Sequence, residues 1–239
     1  MKKRLFDLTL CFLTAPLWLL ALLATSLAIW LREGRPVFYV SERRVWQTTS
    51  LRLIKFRTMI LNAERVANRA TVPIHHGVRF LNIPPDSPLY TPVGRFIERW
   101  HLTEIPQFLH VLTGRMSIVG NRPLPENVIT SLKEGYPQVE ERFLTKGGLT
   151  GLVQLIGRDA LTDNVRLAIE ISYCRAISQH YSVRLDFLIL LLTVQIALGL
   201  RQPFSAQEVF SLLEKYTQYH SEQQVIDIYE QEPLEKRAS

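Results

Sequence analysis

The sequence predicts a mostly helical α/β protein with a membrane-bound N-terminus, and three observations carry that prediction. Leu8 to Leu31 holds no charged residue, about 24 residues in a row, which is long enough to cross a bilayer core as a helix. Behind it, Pro36–Val40 (PVFYV) and Leu51–Phe56 (LRLIKF) read as short strands, the second alternating apolar and basic residues. The rest is punctuated by glycine and proline into runs with helical spacing. Of the 239 residues, 47% are hydrophobic and 21% charged, which argues against disorder and allows a real core.

The charge balance narrows the partners. A net charge of +6 suits phosphate-rich molecules: anionic membrane, nucleic acid or nucleotide substrates. The cations stand beside an apolar segment and lack interleaved aromatic platforms, which argues against nucleic acid. Two cysteines, one inside the apolar run, make no disulfide framework, and the six histidines show no zinc-type spacing. With no GxGxxG or Walker A pattern, neither a Rossmann nor a P-loop nucleotide site has support.

Three arrangements of the N-terminal run are open. It is a plain spanning helix, a signal peptide with Lys2-Lys3-Arg4 as its basic start, or a hairpin that enters and returns, broken at Pro16. Cations lie on both sides: Lys2, Lys3 and Arg4 before, and Arg32, Arg35, Arg43, Arg44, Arg52, Lys55 and Arg57 after. A spanning helix places one cluster outside, against the positive-inside tendency, whereas a hairpin keeps both in the cytoplasm. Pro16 supplies the bend by removing a backbone donor, and Thr14 can satisfy the freed carbonyl.

The following elements come in order. Ser41–Ser50 reads as a polar turn region between the two strands. Lys55 and Arg57 flank Phe56 on one face, where cations serve headgroups, solvent or a substrate phosphate. A helix is expected over 62–70, a long proline-bearing loop over 71–92, and a helix over 93–100. Helices are also expected over 125–133 and, amphipathic, over 161–177. The apolar run 187–200 is short for a span and suits a membrane interface or a core. The tail from 201 is acidic and reads as short helices with a frayed end.

The stretch from Trp100 to Pro125 (WHLTEIPQFLHVLTGRMSIVGNRPLP) carries the candidate chemistry. Thr103 suits an N-cap, Glu104 suits the first turn of the helix, and Pro106 is tolerated there because no backbone donor is needed. A carboxylate at a helix start, facing Arg122 on a nearby turn, suits holding a metal ion and a phosphate together. The plain alternative is a capped helix followed by a strand and a turn. Further on, Lys146 to Asp159 (KGGLTGLVQLIGRD) offers Gly147, Gly148 and Gly151 for tight turns or close backbone approach to a ligand.

These pieces, in this order, resemble the monotopic bacterial phosphoglycosyl transferases, also called bacterial sugar transferases. The resemblance covers roughly Lys3 to Leu200 and rests on KRLFD at Lys3, the run broken by Pro16, and RPVFYVSERR at Arg35. It continues with LIKFRTM at Leu53, TPVGRFIER at Thr91, LTEIPQ at Leu102, LTGRMSIVGNRPLP at Leu112, KGGLTGLVQLIGRD at Lys146 and LDFLILLLT at Leu185. It implies a re-entrant membrane helix hairpin over 1–34, a small cytoplasmic sugar transferase domain over 35–200 with short strands and interfacial amphipathic helices, and an acidic helical tail over 201–239. It further implies a place on the cytoplasmic face of the bacterial inner membrane. The implied reaction moves a sugar 1-phosphate from a nucleotide diphosphate sugar to polyprenyl phosphate, releasing a nucleoside monophosphate. In such enzymes an Asp-Glu dyad supplies a nucleophilic aspartate and a glutamate that helps hold Mg²⁺.

Here the dyad reads Thr103-Glu104, so the nucleophile position holds a hydroxyl that needs a base. Glu98 stands where the family has a cation, Asn121 and Gly147 where it has prolines, Leu152 where it has an aromatic, and Ile156 where it has asparagine. Glu104 remains for the metal, and Arg122, Lys146, Arg158 and Arg57 remain for the phosphates. Three outcomes are open. Thr103 attacks, or transfer is direct; Asp159 takes over; or the chain is a catalytically silent partner or regulator in glycan assembly. A homo-oligomer, or a heteromer with an active transferase, is open as well.

Overall fold

The apolar N-terminal run does not form one helix. In the computed structural model, which describes residues 1–66, 83, 87–157 and 161–217, it divides at Thr14 into α1 (Lys2–Leu13) and α2 (Ala15–Glu33). Pro16 sits in the first turn of α2, where its missing N–H has no helical partner to lose, so it begins a second helix rather than kinking the first. The carbonyls left at the break are served by side chains. Thr14 Oγ1 donates to the Leu10 carbonyl at 2.7 Å and Trp18 Nε1 to the Cys11 carbonyl at 3.0 Å. By length and composition α2 is apolar enough to cross a membrane.

The structure mixes helices with two short sheets and divides into two compact units. The first takes Lys3–Arg43 with Ser50–Ile118; the second takes Arg44–Thr49 with the described residues from Val119 on. In the first unit, α1 is anchored by Arg4 and Asp7, two of its four charged residues. The Arg4 guanidinium donates to the carbonyls of Val111 and Leu112, and buried Asp7 accepts from Ser117 Oγ and the Ile118 N–H, both at 2.9 Å. The α2 helix exposes Leu17, Leu20, Leu23, Leu27 and Leu31, while Trp18 stacks on Phe108 at 5.4 Å and Ile29 joins Phe56 and Ile97 in the core.

A hairpin follows, β1 (Phe38–Trp46) with β2 (Thr49–Phe56). The polar stretch expected as a turn is mostly strand, and the turn shrinks to Gln47 and Thr48, with Gln47 at a φ of 46°. Its polar residues are absorbed by partners. Arg44 makes ion pairs with Glu126 and Glu140, the latter at 2.6 Å, and Val45 is buried. Of the helix expected over 62–70, α3 (Ala63–Val66) is described. The 71–92 loop lies mostly outside the described residues. Helix α4 (Pro92–Arg99) is capped by Thr91 Oγ1, which accepts from the Gly94 N–H at 3.0 Å. A β-carbon on Gly94 would sit 1.9 Å from the Thr58 carbonyl oxygen, so only glycine lets the helix lie this close to the end of the hairpin.

The chain passes from the first unit to the second within β3 (Ser117–Val119), and in the second unit the Gly120 N–H donates to the carbonyl of Thr150, the last residue of β4 (Gly148–Thr150), at 2.8 Å. Helix α7 (Asp163–Gln179) was expected to be amphipathic. It is instead buried on nearly every side, with α6 (Glu126–Gly135), a 3₁₀ turn over 137–143, α8 (Val183–Ala197) and α9 (Ala206–Tyr216) completing the unit. Its buried polar residues explain how. Arg142 binds Glu170 in two parallel bonds, Nε to Oε2 at 2.6 Å and Nη2 to Oε1 at 2.8 Å, with the two side chains 1% and 4% exposed. The α8 run buries Leu185, Ile189 and Leu192 and exposes Phe187, Leu191 and Val194, so it is half core and half surface. Of the acidic tail, residues through 217 are described, and α9 buries Val209 and Leu213.

Two outcomes follow. Glu170→Gln leaves the buried Arg142 charge uncompensated and should lower unfolding free energy by about 3–5 kcal/mol, read by denaturant titration in detergent. His110 Nε2 accepts the Ile54 N–H at 3.3 Å, and burial, with Arg115, holds the imidazole below its ordinary 6.5. The unfolded chain therefore takes up the proton first, so stability is complete above 6.5 and falls as pH drops through the folded value. The unfolding midpoint should decline between pH 7 and 5, and His110→Gln should flatten that decline.

Candidate functional site

The end of β2 positions the first half of the candidate chemistry. The Phe56 N–H donates to the Thr103 carbonyl at 3.0 Å, which draws the turn before α5 (Phe108–Leu112) onto the strand. Lys55 then reaches Glu104, with Nζ 3.1 Å from Oε1 and both side chains about four-fifths buried. The alternation of the sequence sets Lys55 on the face of Arg57, and the resemblance makes Arg57 a candidate for the phosphates. The structure separates them, because β2 ends at Phe56 and the strand's alternation stops there. Arg57 turns to the end of α2, donating from Nη2 to the carbonyls of Glu33 and Gly34 at 3.0 and 3.2 Å, with the Glu33 carboxylate 3.8 Å away. Glu33 Oε1 in turn accepts the Val93 N–H at the start of α4 at 3.0 Å.

Thr103 does not cap the helix as expected. The chain enters α5 through a 3₁₀ turn, Ile105–Gln107, for which Glu104 is the N-cap residue, and Pro106 occupies its first positions. The Thr103 hydroxyl oxygen is hidden from solvent and bonded to nothing, while its carbonyl holds Phe56. Among the described residues no group of three or more His, Cys, Asp or Glu is assembled, so no all-protein metal cage exists there. One carboxylate at Glu104 fits the other mode of binding a hard cation, in which substrate phosphate oxygens complete the shell.

The second unit holds Arg122 and Lys146 on two loops stitched together by their backbones. The Gly148 N–H donates to the Asn121 carbonyl at 2.9 Å, and a β-carbon on Gly148 would lie 2.1 Å from the Gly120 nitrogen. The glycines expected to admit a ligand thus admit another stretch of backbone. Asn121, standing where the family has proline, donates from Nδ2 to the carbonyls of Arg142 and Glu170 at 3.0 and 2.9 Å. Arg142 Nη2 also donates to the Arg122 carbonyl at 2.9 Å, and Lys146 Nζ lies 5.5 Å from the centre of the Trp46 ring.

Arg166, a residue sequence reasoning missed, belongs to the same neighbourhood. Burial lowers its affinity for the proton, Glu170 and Asp163 oppose this, and Arg142 and Arg122 add to it. Its position inside α7 gave no signal, since an arginine in a helix reads as surface. Arg158 and Asp159 lie outside the described residues.

Comparison with known proteins supplies the family. A family profile described as bacterial sugar transferase matches residues 1–199. The exopolysaccharide production protein ExoY of Sinorhizobium fredii is 30% identical over 201 residues, covering 81% of this chain and 84% of that one. The UDP-N-acetylgalactosamine-undecaprenyl-phosphate N-acetylgalactosaminephosphotransferase of Aeromonas hydrophila is 29% identical over 195 residues, 81% of this chain and 43% of that one. The UDP-glucose:undecaprenyl-phosphate glucose-1-phosphate transferase of Escherichia coli is 32% identical over 196 residues, 78% of this chain and 39% of that one. The chain thus spans most of the first relative and less than half the length of the other two. With nearly all of its described residues inside the matched span, this protein belongs to the bacterial sugar transferase family.

Proposed function

We propose that this protein transfers a sugar 1-phosphate from a nucleotide diphosphate sugar to polyprenyl phosphate on the cytoplasmic face of a bacterial inner membrane, so starting a lipid-linked glycan. The observation that carries the reading is the Lys55–Glu104 pair at the turn into α5, in a chain of this family. Two relatives are named for this reaction with undecaprenyl phosphate as acceptor. The rival reading, a silent partner in glycan assembly, draws no support from the relatives' names. The family's membrane association is supported here by one apolar helix, α2.

The finer arrangement is part of the proposal. Residues 1–34 form a re-entrant hairpin, a reading supported by the helix break at Thr14, the exposed leucines of α2 and the cations on both flanks. Residues 35–200 form the transferase domain and 201–239 its acidic tail. Glu104 holds Mg²⁺ together with substrate phosphate oxygens. When bound, that ion neutralises charge on the diphosphate and on the departing nucleotide. Arg122, Lys146 and Arg158 hold the phosphates as cations, stabilising the charge that builds in the transition state. Lys55 orients the Glu104 carboxylate, and Arg57 fixes the end of α2.

Glu104→Gln should cut turnover by about 10²–10³-fold, and Lys55→Met by about 10-fold or more, each read as nucleoside monophosphate release with undecaprenyl phosphate as acceptor. Folding is checked alongside by thermal unfolding. Chelation with EDTA should abolish release, and added Mg²⁺ should restore it; full activity in EDTA would remove the ion from the reading.

A further inference from the structure

The hydroxyl at the first dyad position is poorly placed to attack anything. A nucleophile must present its oxygen to the phosphorus and must lose its proton to a base within hydrogen-bond reach. Thr103 Oγ1 is shielded from solvent and has no hydrogen-bond partner of any kind, so neither condition is met. The backbone that carries it is fixed, so only rotation of the side chain about χ1 can move the hydroxyl. Its carbonyl is tied to the Phe56 N–H at 3.0 Å, and the Ile105 N–H closes the turn on the Leu102 carbonyl at 3.1 Å. The adjacent carboxylate is not a waiting base either, since Glu104 Oε1 accepts from Lys55 Nζ at 3.1 Å.

The acceptor needs neither Thr103 nor a base. A phosphate monoester has its second pKa near 6, so at neutral pH its oxygens are mostly ionised and nucleophilic as they arrive. We infer that this protein passes the sugar phosphate in one displacement, directly from donor to acceptor, with both substrates bound together. An acceptor phosphate oxygen forms a bond to the sugar-bearing phosphorus of the donor. The bond from that phosphorus to the bridging oxygen breaks, and its electron pair leaves with the nucleoside monophosphate. No proton changes hands, and no phosphosugar is ever attached to the protein. The inference rests on the transferase reading above and adds that the site accommodates two phosphate-bearing substrates at once.

The test uses the full-length protein in detergent micelles or nanodiscs with UDP-glucose, UDP-galactose and UDP-N-acetylgalactosamine as donors and undecaprenyl phosphate as acceptor. Forward transfer is measured first. Then labelled UMP is added to the productive donor with the acceptor left out, and label appearing in the donor is counted. A covalent intermediate makes that exchange run at a rate comparable to forward transfer; direct transfer should hold it below about one hundredth of that rate. Initial rates over a grid of both substrates give a second readout, with intersecting double-reciprocal lines expected and parallel lines the contrary result. Forward transfer with rapid acceptor-free exchange overturns this inference and leaves the transferase reading intact. Absence of forward transfer with every donor removes the transferase reading, and this inference with it.

Discussion

One backbone hydrogen bond, from the Phe56 N–H to the Thr103 carbonyl, decides where the chemistry of the first unit can lie. It closes the end of β2 onto the turn before α5, and everything nearby depends on that closure. Phe56 is then fixed with its ring in the core beside Ile29 and Ile97. The preceding side chain, Lys55, necessarily points to the other face, where Glu104 waits. The following one, Arg57, is released from the strand and swings to the end of α2. A neutral hydrogen bond is worth only about 1 kcal/mol net. Its weight here comes from geometry, since it sets three consecutive side chains on three different tasks.

The same closure makes the apolar N-terminal segment part of the site's foundation. Ile29 fills the core behind Phe56, Glu33 takes the Val93 N–H, and Gly94 brings α4 against Thr58. At the other end of the run, Arg4 and Asp7 fasten α1 to the tail of α5 and to the start of β3. A buried acidic residue is costly unless it is paired or hydrogen-bonded. Asp7 accepts two hydrogen bonds, and both donors belong to the polypeptide that carries the dyad turn. A shift of the apolar helices would therefore be felt at Glu104 through packed side chains.

How much of this was legible in the sequence depends on whether a signal was local. Helix α4, strand β2, the break at Thr14 and the extent of α8 all follow from proline placement, caps and hydrophobic period, and they fall within a few residues of their expected bounds. What failed was decided by distant partners. The strand β1 continues through Glu42, Arg43 and Arg44 because Glu126 and Glu140 receive Arg44. Helix α7 looks amphipathic only if Arg166 and Glu170 are counted as surface, and Arg142 from another element makes them interior. The glycines of the Lys146 loop were legible as sites of close approach, but not what would approach them. Glu104 was legible as a chemical residue; its pairing with Lys55 was not, because the alternation that groups Lys55 with Arg57 on one face says nothing past the strand's last residue.

The replacement at position 103 can be understood in the same terms. The turn uses this residue through its carbonyl, which any amino acid supplies, and its side chain contributes no bond to the fold. A change of side chain there leaves the Phe56 hydrogen bond, the Lys55–Glu104 pair and the 3₁₀ entry into α5 where they are. Burying an unpartnered hydroxyl carries a cost of about 1–3 kcal/mol, a sizeable fraction of a domain's net stability. The backbone thus keeps the site's geometry independent of the one residue whose chemistry differs from the family, and the reaction route can change without the fold having to.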